Sequence, residues 1–435
     1  MRISTNQIFD SGTLGIQRNQ QGLFHLQNQL SSGRRVFTPE DDPVAAAQAL
    51  IVTQSKDINT QYVENQGNAS TQLGLAEANL ASLTDLLQAV RERSIEAMGS
   101  LTDAQRGFIA TDLQIKLESM VGLANTDDGA GQFMFSGYQG ATRPFAIDGS
   151  VAPVAPATEP PVVYFGDNGE RLLQVGASTR IAGNVSGAEL FMDIRSGNGT
   201  FTTAVGGNTG GGINQGSAIV DAGSVTNPSA WASAVNTYSA ASPDPKGFQV
   251  IFTSSTQYRI YDRDTPAVAL TAAQPFVPGQ AIVLDTTIGL AANFGAQVVV
   301  SGTPAAGDSF VVAPSTNQSV FTTLQNLIGA LQTPVNATFT KTELTNRIKA
   351  EVTNLDGALS NLARVRAKVG SRMNELASLT SSAKDLDLQY STALSGLQDL
   401  DYVEAISKFT QQQTQLEASQ KSFAQISRLS LFDIL

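Results

Sequence analysis

The chain has 435 residues, enough for two to four domains at about 100–200 residues each, and its formal net charge is −11. This charge argues against nucleic acid as a partner, because phosphate binding needs a basic face. Cysteine is absent, which excludes disulfides, thiol catalysis and thiolate metal sites. Without an apolar run of roughly 20 residues or the apolar core of a secretory signal, we expect neither a membrane segment nor Sec-type export.

The first predicted element is a helix with one thin apolar stripe. Ile16, Leu23 and Leu30 recur every seven residues, and Leu26 lies between them in a stretch rich in Gln, Asn and Ser. A stripe this narrow cannot bury itself, so the helix needs a partner. It is expected to end just before Gly33, since glycine suits the left-handed position after a helix.

A second and much longer helix is predicted from Pro43 to about Met98. Asp42 is placed to cap it, and proline suits its first position. The apolar residues in its second half follow heptad spacing, which indicates a coiled-coil or bundle seam. They are Ala69, Leu73, Ala76, Leu80, Leu83, Leu87, Val90, Ser94 and Ala97. A third helix follows, and its predicted apolar side is Phe108, Ile109, Leu113, Leu117, Met120 and Val121.

The middle of the chain, 146–318, has short β-rich runs separated by Gly and Pro. The runs 162–165 and 172–175 flank Asn168-Gly169, which predicts a hairpin with an Asn-Gly turn. A loop is predicted for the Gly-rich segment 206–216. Further strands are predicted at 248–252, 258–261, 281–284, 297–300 and 310–312, a pattern typical of a sandwich or barrel.

Helix returns near Ser319 and continues to the C-terminus. Thr340 and Glu343 have capping-box spacing. Large apolar residues then recur every seven positions in a Gln-rich background, at Tyr402, Phe409, Leu416 and Phe423. The predicted fold class is therefore α+β, a long helical coiled coil or bundle built from both termini with an inserted all-β outer domain. The predicted domains are terminal helices 1–42 and 390–435, a helical bundle 43–145 and 319–389, and a β-rich domain 146–318.

Both ends of the chain resemble the flagellin superfamily. The segment Gln29-Leu30-Ser31-Ser32-Gly33-Arg34-Arg35, followed by Asp41-Asp42-Pro43, resembles its signature. Met1 to Thr5 and Gln132 to Gly137 are similar to the hook-associated protein 3 family. The ending Leu429-Ser430-Leu431-Phe432 is similar to the hook-associated protein 3 family and differs from the usual ending of flagellin itself. The motif residues carried over are Ser32, Gly33, Arg34, Arg35, Asp41, Asp42, Pro43, Leu429, Leu431 and Phe432.

This resemblance implies a structural subunit at the hook–filament junction of the bacterial flagellum, needed for filament assembly and motility. It implies type III export without a cleaved signal, a cytoplasmic export chaperone on the C-terminal region, and an extracellular place in the flagellum. The implied partners are the first hook-associated protein, flagellin and a ring of its own copies, and no cofactor or reaction is implied. The residues expected at the subunit interface are Ile16, Leu23, Leu26, Leu30, Tyr402, Ile406, Phe409, Leu416 and Phe423.

Candidate reactive groups are few, and each has a structural interpretation that we favour. His25 is the only histidine and has neither a second His nor a Ser-Asp pair near it, so an ordinary helical role is expected. The acidic cluster 40–42 precedes a helix, which favours capping, with Arg34 or Arg35 as charge partners. Asp127-Asp128-Gly129 lacks the residues of a phosphate or calcium loop and reads as a turn. We therefore predict that the chain is not an enzyme.

Two alternatives remain open from the sequence. The first is a divergent flagellin, which copy number would separate from a scarce junction protein. The second is an adhesive or carbohydrate-binding module in the β domain, where Asp262 and Asp264 lie two apart on a predicted strand and thus on one face. A glycan-binding screen of fragment 146–318 would test it.

Overall fold

The structure is a computed structural model that describes residues 5–148, 161–238, 247–263, 269–286 and 292–432. Its helices are α1 (Thr5–Ser32), α2 (Pro43–Ala97), α3 (Asp103–Ala124), α4 (Pro228–Tyr238), α5 (Val320–Gln332), α6 (Lys341–Gln398) and α7 (Tyr402–Phe432), with a short π-helix at Ala188–Met192. The first eight strands are β1 (Phe145–Ile147), β2 (Val162–Tyr164), β3 (Leu172–Gln174), β4 (Arg180–Ala182), β5 (Ile194–Arg195), β6 (Phe201–Asn208), β7 (Ile219–Val220) and β8 (Ser224–Val225). The others are β9 (Phe248–Ser254), β10 (Gln257–Asp262), β11 (Gln274–Pro275), β12 (Ala281–Thr286), β13 (Ala292–Ser301), β14 (Asp308–Pro314) and β15 (Asn317–Gln318).

The chain forms two compact units. The first contains Met1–Gly67, Gln174–Thr179 and Leu376–Leu435, and the second contains Asn68–Leu173 and Arg180–Glu375. The long helices α2 and α6 each contribute to both units. The three domain ranges proposed from the sequence stay a prediction.

The first unit joins the two ends of the chain through helices. Beyond the α1–α7 pair, the N-terminal half of α2 packs on the C-terminal half of α6. Asn59 Nδ2 donates to Ala383 O at 2.7 Å, and Lys56 Nζ donates to Ser391 Oγ at 2.8 Å. The turn between β3 and β4 also docks here, because Gln66 Nε2 donates to Val175 O at 2.7 Å. These hydrogen bonds join α2, α6 and the turn between β3 and β4 within the first unit.

The second unit contains the helical core that the heptad pattern predicts. All nine seam residues of α2, from Ala69 to Ala97, are buried, with exposures of 5% or less. Leu355, Leu362 and Val369 on α6 are buried as well. The apolar side predicted for α3 is correct except at Phe108, which is 75% exposed. Phe108 neighbours the buried Ile109 in sequence, and a 100° step turns it away from the core.

An inserted module of two antiparallel sheets follows the π-helix. One sheet has the order β11-β10-β9-β14-β6, and the other has the order β12-β13-β7 with β8 also on β13. The two sheets share one apolar core, every buried member of which lies between Phe201 and Val312. Helix α4, which the pattern did not predict, contributes Trp231 to that core. The module enters through β5 and leaves through β15, which pair antiparallel.

The structure corrects two predictions in the first part of the middle region. The hairpin predicted from the Asn-Gly turn does not form, because β2 pairs with β1 and β3 pairs with β4. The Asp167 carboxylate instead accepts the amides of Tyr138 and Gly169, both at 2.8 Å, and shapes the connecting loop. The second correction concerns the start of the Gly-rich loop predicted for 206–216. Strand β6 extends through Gly206 to Asn208, and the loop occupies 209–216. The five later strands occur as predicted, and the α+β class with an inserted β module is confirmed.

Candidate subunit interface

Helices α1 and α7 form an antiparallel pair. The Phe9 and Phe423 rings are 4.8 Å apart at one end, and Asn19 Nδ2 donates to Ser419 Oγ at 3.3 Å. Two glycines allow the close approach. A Cβ atom at Gly12 would lie 2.7 Å from the Phe423 ring, and one at Gly22 would lie 2.8 Å from the Gln412 amide.

The pair does not bury the stripe residues predicted for the interface. Tyr402 and Ile406 are 51% and 54% exposed. The others are partly buried, namely Ile16, Leu23, Leu26, Leu30, Phe409, Leu416 and Phe423. Two helices can cover only one side of each other, so such stripes stay half open to solvent.

Further apolar side chains on the same helices point away from the pair. Leu14 and Phe24 on α1 are 52% and 65% exposed, and Val403 on α7 is 82% exposed. A groove of about 390 Å³ runs between the helices near Gly22, Leu26 and Lys408. Gln412 lines this groove, and its Oε1 atom is buried without a hydrogen-bond partner among the described residues. The surface therefore has exposed apolar area, and an unsatisfied acceptor lies buried beside it.

The glycine–arginine part of the motif fastens the end of α1 to the corner between α6 and α7. Gly33 has φ +70°, and its amide bonds Gln29 O at 2.9 Å to close the helix, as the sequence predicted. Arg35 N donates to Gln398 O at 2.7 Å, and Leu400 N donates to Gly33 O at 3.0 Å. The Arg35 guanidinium also donates to Leu397 O at 2.9 Å, among the last carbonyls of α6. The motif thus ties together two helix ends from opposite ends of the chain.

The acidic part of the motif organises the turn before α2. Asp41 Oδ2 accepts the amides of Phe37 and Thr38, both at 2.8 Å, and His25 Nε2 lies 2.8 Å from Asp41 Oδ1. The backbone hydrogen bond from Thr38 is the main reason that the pKa of Asp41 falls to about 2. Asp42 caps α2 by accepting Ala45 N at 2.9 Å, which also holds its pKa below the usual range.

The two arginines of the motif have different kinds of partner. Arg35 pairs with Asp42 at 3.2 Å, while Arg34 forms an antiparallel backbone bridge with Asp399. Ser32 Oγ donates to Gln29 O at 3.3 Å, and Pro43 is the first residue of α2. The other motif residues are Leu429, Leu431 and Phe432 on α7, and their side chains lie outside the described part of the structure. Residues Met1 to Ser4 are also outside it.

The remaining candidates for chemistry have structural roles or are not described. Asp127 and Asp128 accept the amides of Gly129 and Ala130 at 3.0 and 2.9 Å, which is a turn at the end of a helix. Asp262 is buried at the end of β10, and Asp264 lies outside the described residues. Within the described ranges, no three His, Asp or Glu side chains could hold a metal ion, and no helix is long and apolar enough to cross a membrane.

Sequence reasoning missed the close-contact residues Gly12, Gly22 and Gln412. A signal for them was available. Glycine inside a helix costs about 1 kcal/mol relative to alanine, so repeated glycines in α1 indicate a packing requirement. The partner of each glycine lies roughly 390–410 positions away, which no local pattern reports.

Comparison with known families places both ends of the chain. Residues 3–140 match the bacterial flagellin N-terminal helical region, and residues 352–435 match the bacterial flagellin C-terminal helical region. Together these matches cover just over half of the chain. They contain α1, α7 and the corner motif.

Similar proteins match over the whole length. Flagellar hook-associated protein 3 of Salmonella typhimurium is 25% identical over all of this chain and 99% of that protein, and that of Escherichia coli is 26% identical with the same coverage. A solved hook-associated protein 3 from Legionella pneumophila is 28% identical, with a TM-score of 0.66 over 80% of this chain and 98% of that one. A structure of the flagellar junction protein FlgL from the same organism gives 28% and 0.65, over 81% of this chain and 100% of that one.

Proposed function

Because the chain belongs to the flagellin family, on its hook-associated protein 3 branch, and is a structural subunit of the flagellar hook–filament junction, we propose that α1 and α7 are the surface through which it assembles. The observation that carries this proposal is the half-open state of the α1–α7 pair. Both stripes remain accessible in a folded chain, and Val403 is 82% exposed. An apolar stripe left half open along each of two paired helices favours an interaction site, because each helix still needs a partner to bury it.

The proposed partners follow from the family. Copies of the chain form a ring through α1 and α7, the first hook-associated protein contacts one side and flagellin contacts the other. Before export through the flagellar type III channel, a cytoplasmic chaperone covers the C-terminal region. The half-exposed stripe of α7 supports this, because such a helix needs cover until it meets its partners.

The role is mechanical and not enzymatic. The family is structural, and the only histidine is committed to Asp41 in the corner turn. The corner supports the mechanical role. It joins the end of α1 to the corner between α6 and α7 by backbone bonds of 2.7 and 3.0 Å, so a load on either terminal helix reaches both long helices.

The test replaces Phe423, which packs on Phe9, with alanine in a strain lacking the chromosomal gene. We expect Phe423→Ala to be exported normally, while several-fold fewer filaments survive a fixed shear, because the α1–α7 pair of each subunit loses the aromatic contact between Phe9 and Phe423. Filaments are counted by electron microscopy, and flagellin shed into the medium is measured. Phe409→Ala should behave in the same way.

Phe165→Ala is the matched control, since Phe165 is 52% exposed and lies in the other unit. Normal filament length and shear resistance in Phe423→Ala would refute the assignment of this surface. The empty deletion strain separates the surface from the junction role, because it should make bare hooks and shed flagellin whichever surface is used.

A further inference from the structure

The inserted β module is joined to the helices through a narrow neck. Its incoming strand β5 and outgoing strand β15 form a two-stranded ribbon. Side chains reinforce this ribbon, since Ser196 Oγ donates to Thr316 O at 3.0 Å and Ser315 Oγ donates to Ser196 O at 2.8 Å. The chain enters and leaves the module at this ribbon. A second link to α6 lies outside it, where Asn346 Nδ2 donates to Ala218 O at 3.1 Å and Asn346 Oδ1 accepts Val220 N at 3.0 Å.

One carboxyl group on α6 lies against this neck and receives three amide groups. Asn326 Nδ2 donates to Glu351 Oε1 at 2.8 Å. Gln318 Nε2 and Asn354 Nδ2 donate to Oε2 at 3.2 and 2.8 Å. The three amides come from β15, α5 and α6, so Glu351 holds three elements at one point.

The cluster reaches both strands of the neck. Gln318 belongs to β15 itself. On the incoming side, Asn354 Oδ1 accepts the amide of Gly197 at 2.7 Å, two residues after the end of β5. Asn354 therefore connects Glu351 with the strand that enters the module, and Gln318 connects it with the strand that leaves.

The hydrogen bonds that reach Glu351 come from neutral groups. Helix α5 and strand β15 contain no charged residue. The charged neighbours on the other packed elements have their own roles. On α6, Arg347 pairs with Glu343 at 3.0 Å, Asp356 pairs with Arg91 at 2.6 Å, and Lys349 is exposed. On β5, Arg195 donates to Ser315 O at 3.0 Å.

We propose that Glu351 and its three amide partners form a proton-operated latch that fastens the neck of the β module to α6. The neutral carboxyl group is held well here, because the Gln318 amide can turn its oxygen towards Glu351 to accept the acid proton and still bond the Thr323 hydroxyl, its present partner at 2.9 Å. The ionised group is partly desolvated and gains only neutral donors, so it is held less well. Deprotonation thus loosens the neck.

The direction of the pH effect follows from the titration of Glu351. Loss of hydration is the main cause that raises its pKa from 4.5 to about 7, and the three amides lower it by less. A carboxyl whose pKa is higher in the folded state stabilises fully below the unfolded value. That contribution is lost as the pH rises from 4.5 to about 7. The latch is closed in mild acid and weak in mild alkali.

Hydrogen exchange of the full-length chain measures the latch at the neck. Peptides covering 194–199 and 315–326 are followed between about pH 5 and pH 8, with rates corrected for intrinsic exchange. In the natural sequence, the opening equilibrium of these peptides should increase on the order of a hundredfold across this range, since the folded and unfolded pKa values differ by over two units. In Glu351→Gln, which cannot ionise, it should stay within a few-fold.

Glu92→Gln, an exposed position on α2, is the matched control and should follow the natural sequence. If Glu351→Gln does not fold, the natural chain alone still decides the question. Protection of the neck that does not change between about pH 5 and pH 8 would overturn the latch. So would a pH profile that is the same in Glu351→Gln.

Discussion

Asp41 organises the turn between α1 and α2 through its carboxylate. It accepts two backbone amides, each at 2.8 Å, and contacts His25 on α1. We expect Asp41→Ala to lower the free energy of unfolding by about 1 kcal/mol, the usual cost of losing a side chain that caps backbone amides. Denaturant unfolding followed by circular dichroism measures the change.

The same residue gives a pH dependence opposite to that of Glu351. Its pKa is lowered from 3.8 to about 2, so its contribution is present above pH 3.8 and is lost as the pH falls towards 2. The difference in stability between the natural chain and Asp41→Ala should therefore shrink in strong acid. Glu40→Ala, at the exposed neighbour, is the control, and an equal loss in both variants would contradict the role of Asp41.

Local residues of the corner could be predicted from the sequence, but their distant partners could not. Gly33, Asp42 and Pro43 occupy the helix-end positions that their own backbone preferences indicate. Arg35 donates to Leu397 O, 362 positions away, and nothing in the local pattern reports such a contact. The sequence suggested Arg34 and Arg35 equally as charge partners, and only the fold distinguishes them.

At the scale of elements, the heptad seam of α2 is the most secure prediction from the sequence. Leu80 is fully buried in this seam, whereas Leu75 on the same helix is 42% exposed. Leu80→Ala should lower the free energy of unfolding by about 3 kcal/mol, because it removes buried methyl groups and leaves a cavity. Urea unfolding of the full-length chain gives the difference.

Leu75→Ala makes the same chemical change five residues away, and its cost should stay below about 1 kcal/mol, as at other surface positions. Equal losses in the two variants would show that the seam does not carry the stability of this helix. Helix propensity is unchanged between the two sites, so the comparison isolates burial.

The wrong predictions at this scale share a cause. The spacing of apolar residues and the turn residues can identify a strand, but they do not determine which other strand it pairs with. The Asn168-Gly169 turn favoured pairing of β2 with β3. In the structure β2 pairs antiparallel with β1 instead, in a register that runs from Phe145 opposite Tyr164 to Ile147 opposite Val162. Phe108 was wrongly predicted to be buried for a similar reason. An apolar residue next to a buried one in sequence can be counted in the apolar side of a helix although its side chain is exposed.

At the scale of the whole molecule, the change in composition predicted that a β module interrupts a helical chain. Its neck could not be predicted, because it depends on pairs such as Ser196 and Ser315, 119 positions apart. The neck explains how one chain accommodates the insertion. Thr200 O accepts Ser315 N at 2.9 Å, so the two ends of the insertion lie side by side.

This geometry predicts that the β module can be removed. Deleting 201–314 and joining Thr200 to Ser315 by a short glycine linker should leave a folded helical protein, with a melting temperature within about 5 °C of the full chain. The physical reason is that the buried core of the module lies wholly between Phe201 and Val312 and contributes no residue to the α2 seam. Circular dichroism and thermal melting check the result.

A matched deletion of 257–286 removes β10, β11 and β12 but leaves the rest of the module. It removes Ile260, Leu270, Phe276, Ile282 and Leu284 from the shared core and takes from Phe252 its ring partners Tyr258 and Phe276. The remaining core is left open to solvent, so this variant should aggregate or be cleaved within the module by protease. If the complete deletion loses helix or melts as poorly as the partial one, the two cores depend on each other. The neck would then be part of a single cooperative unit, and the module could not vary independently of the helices.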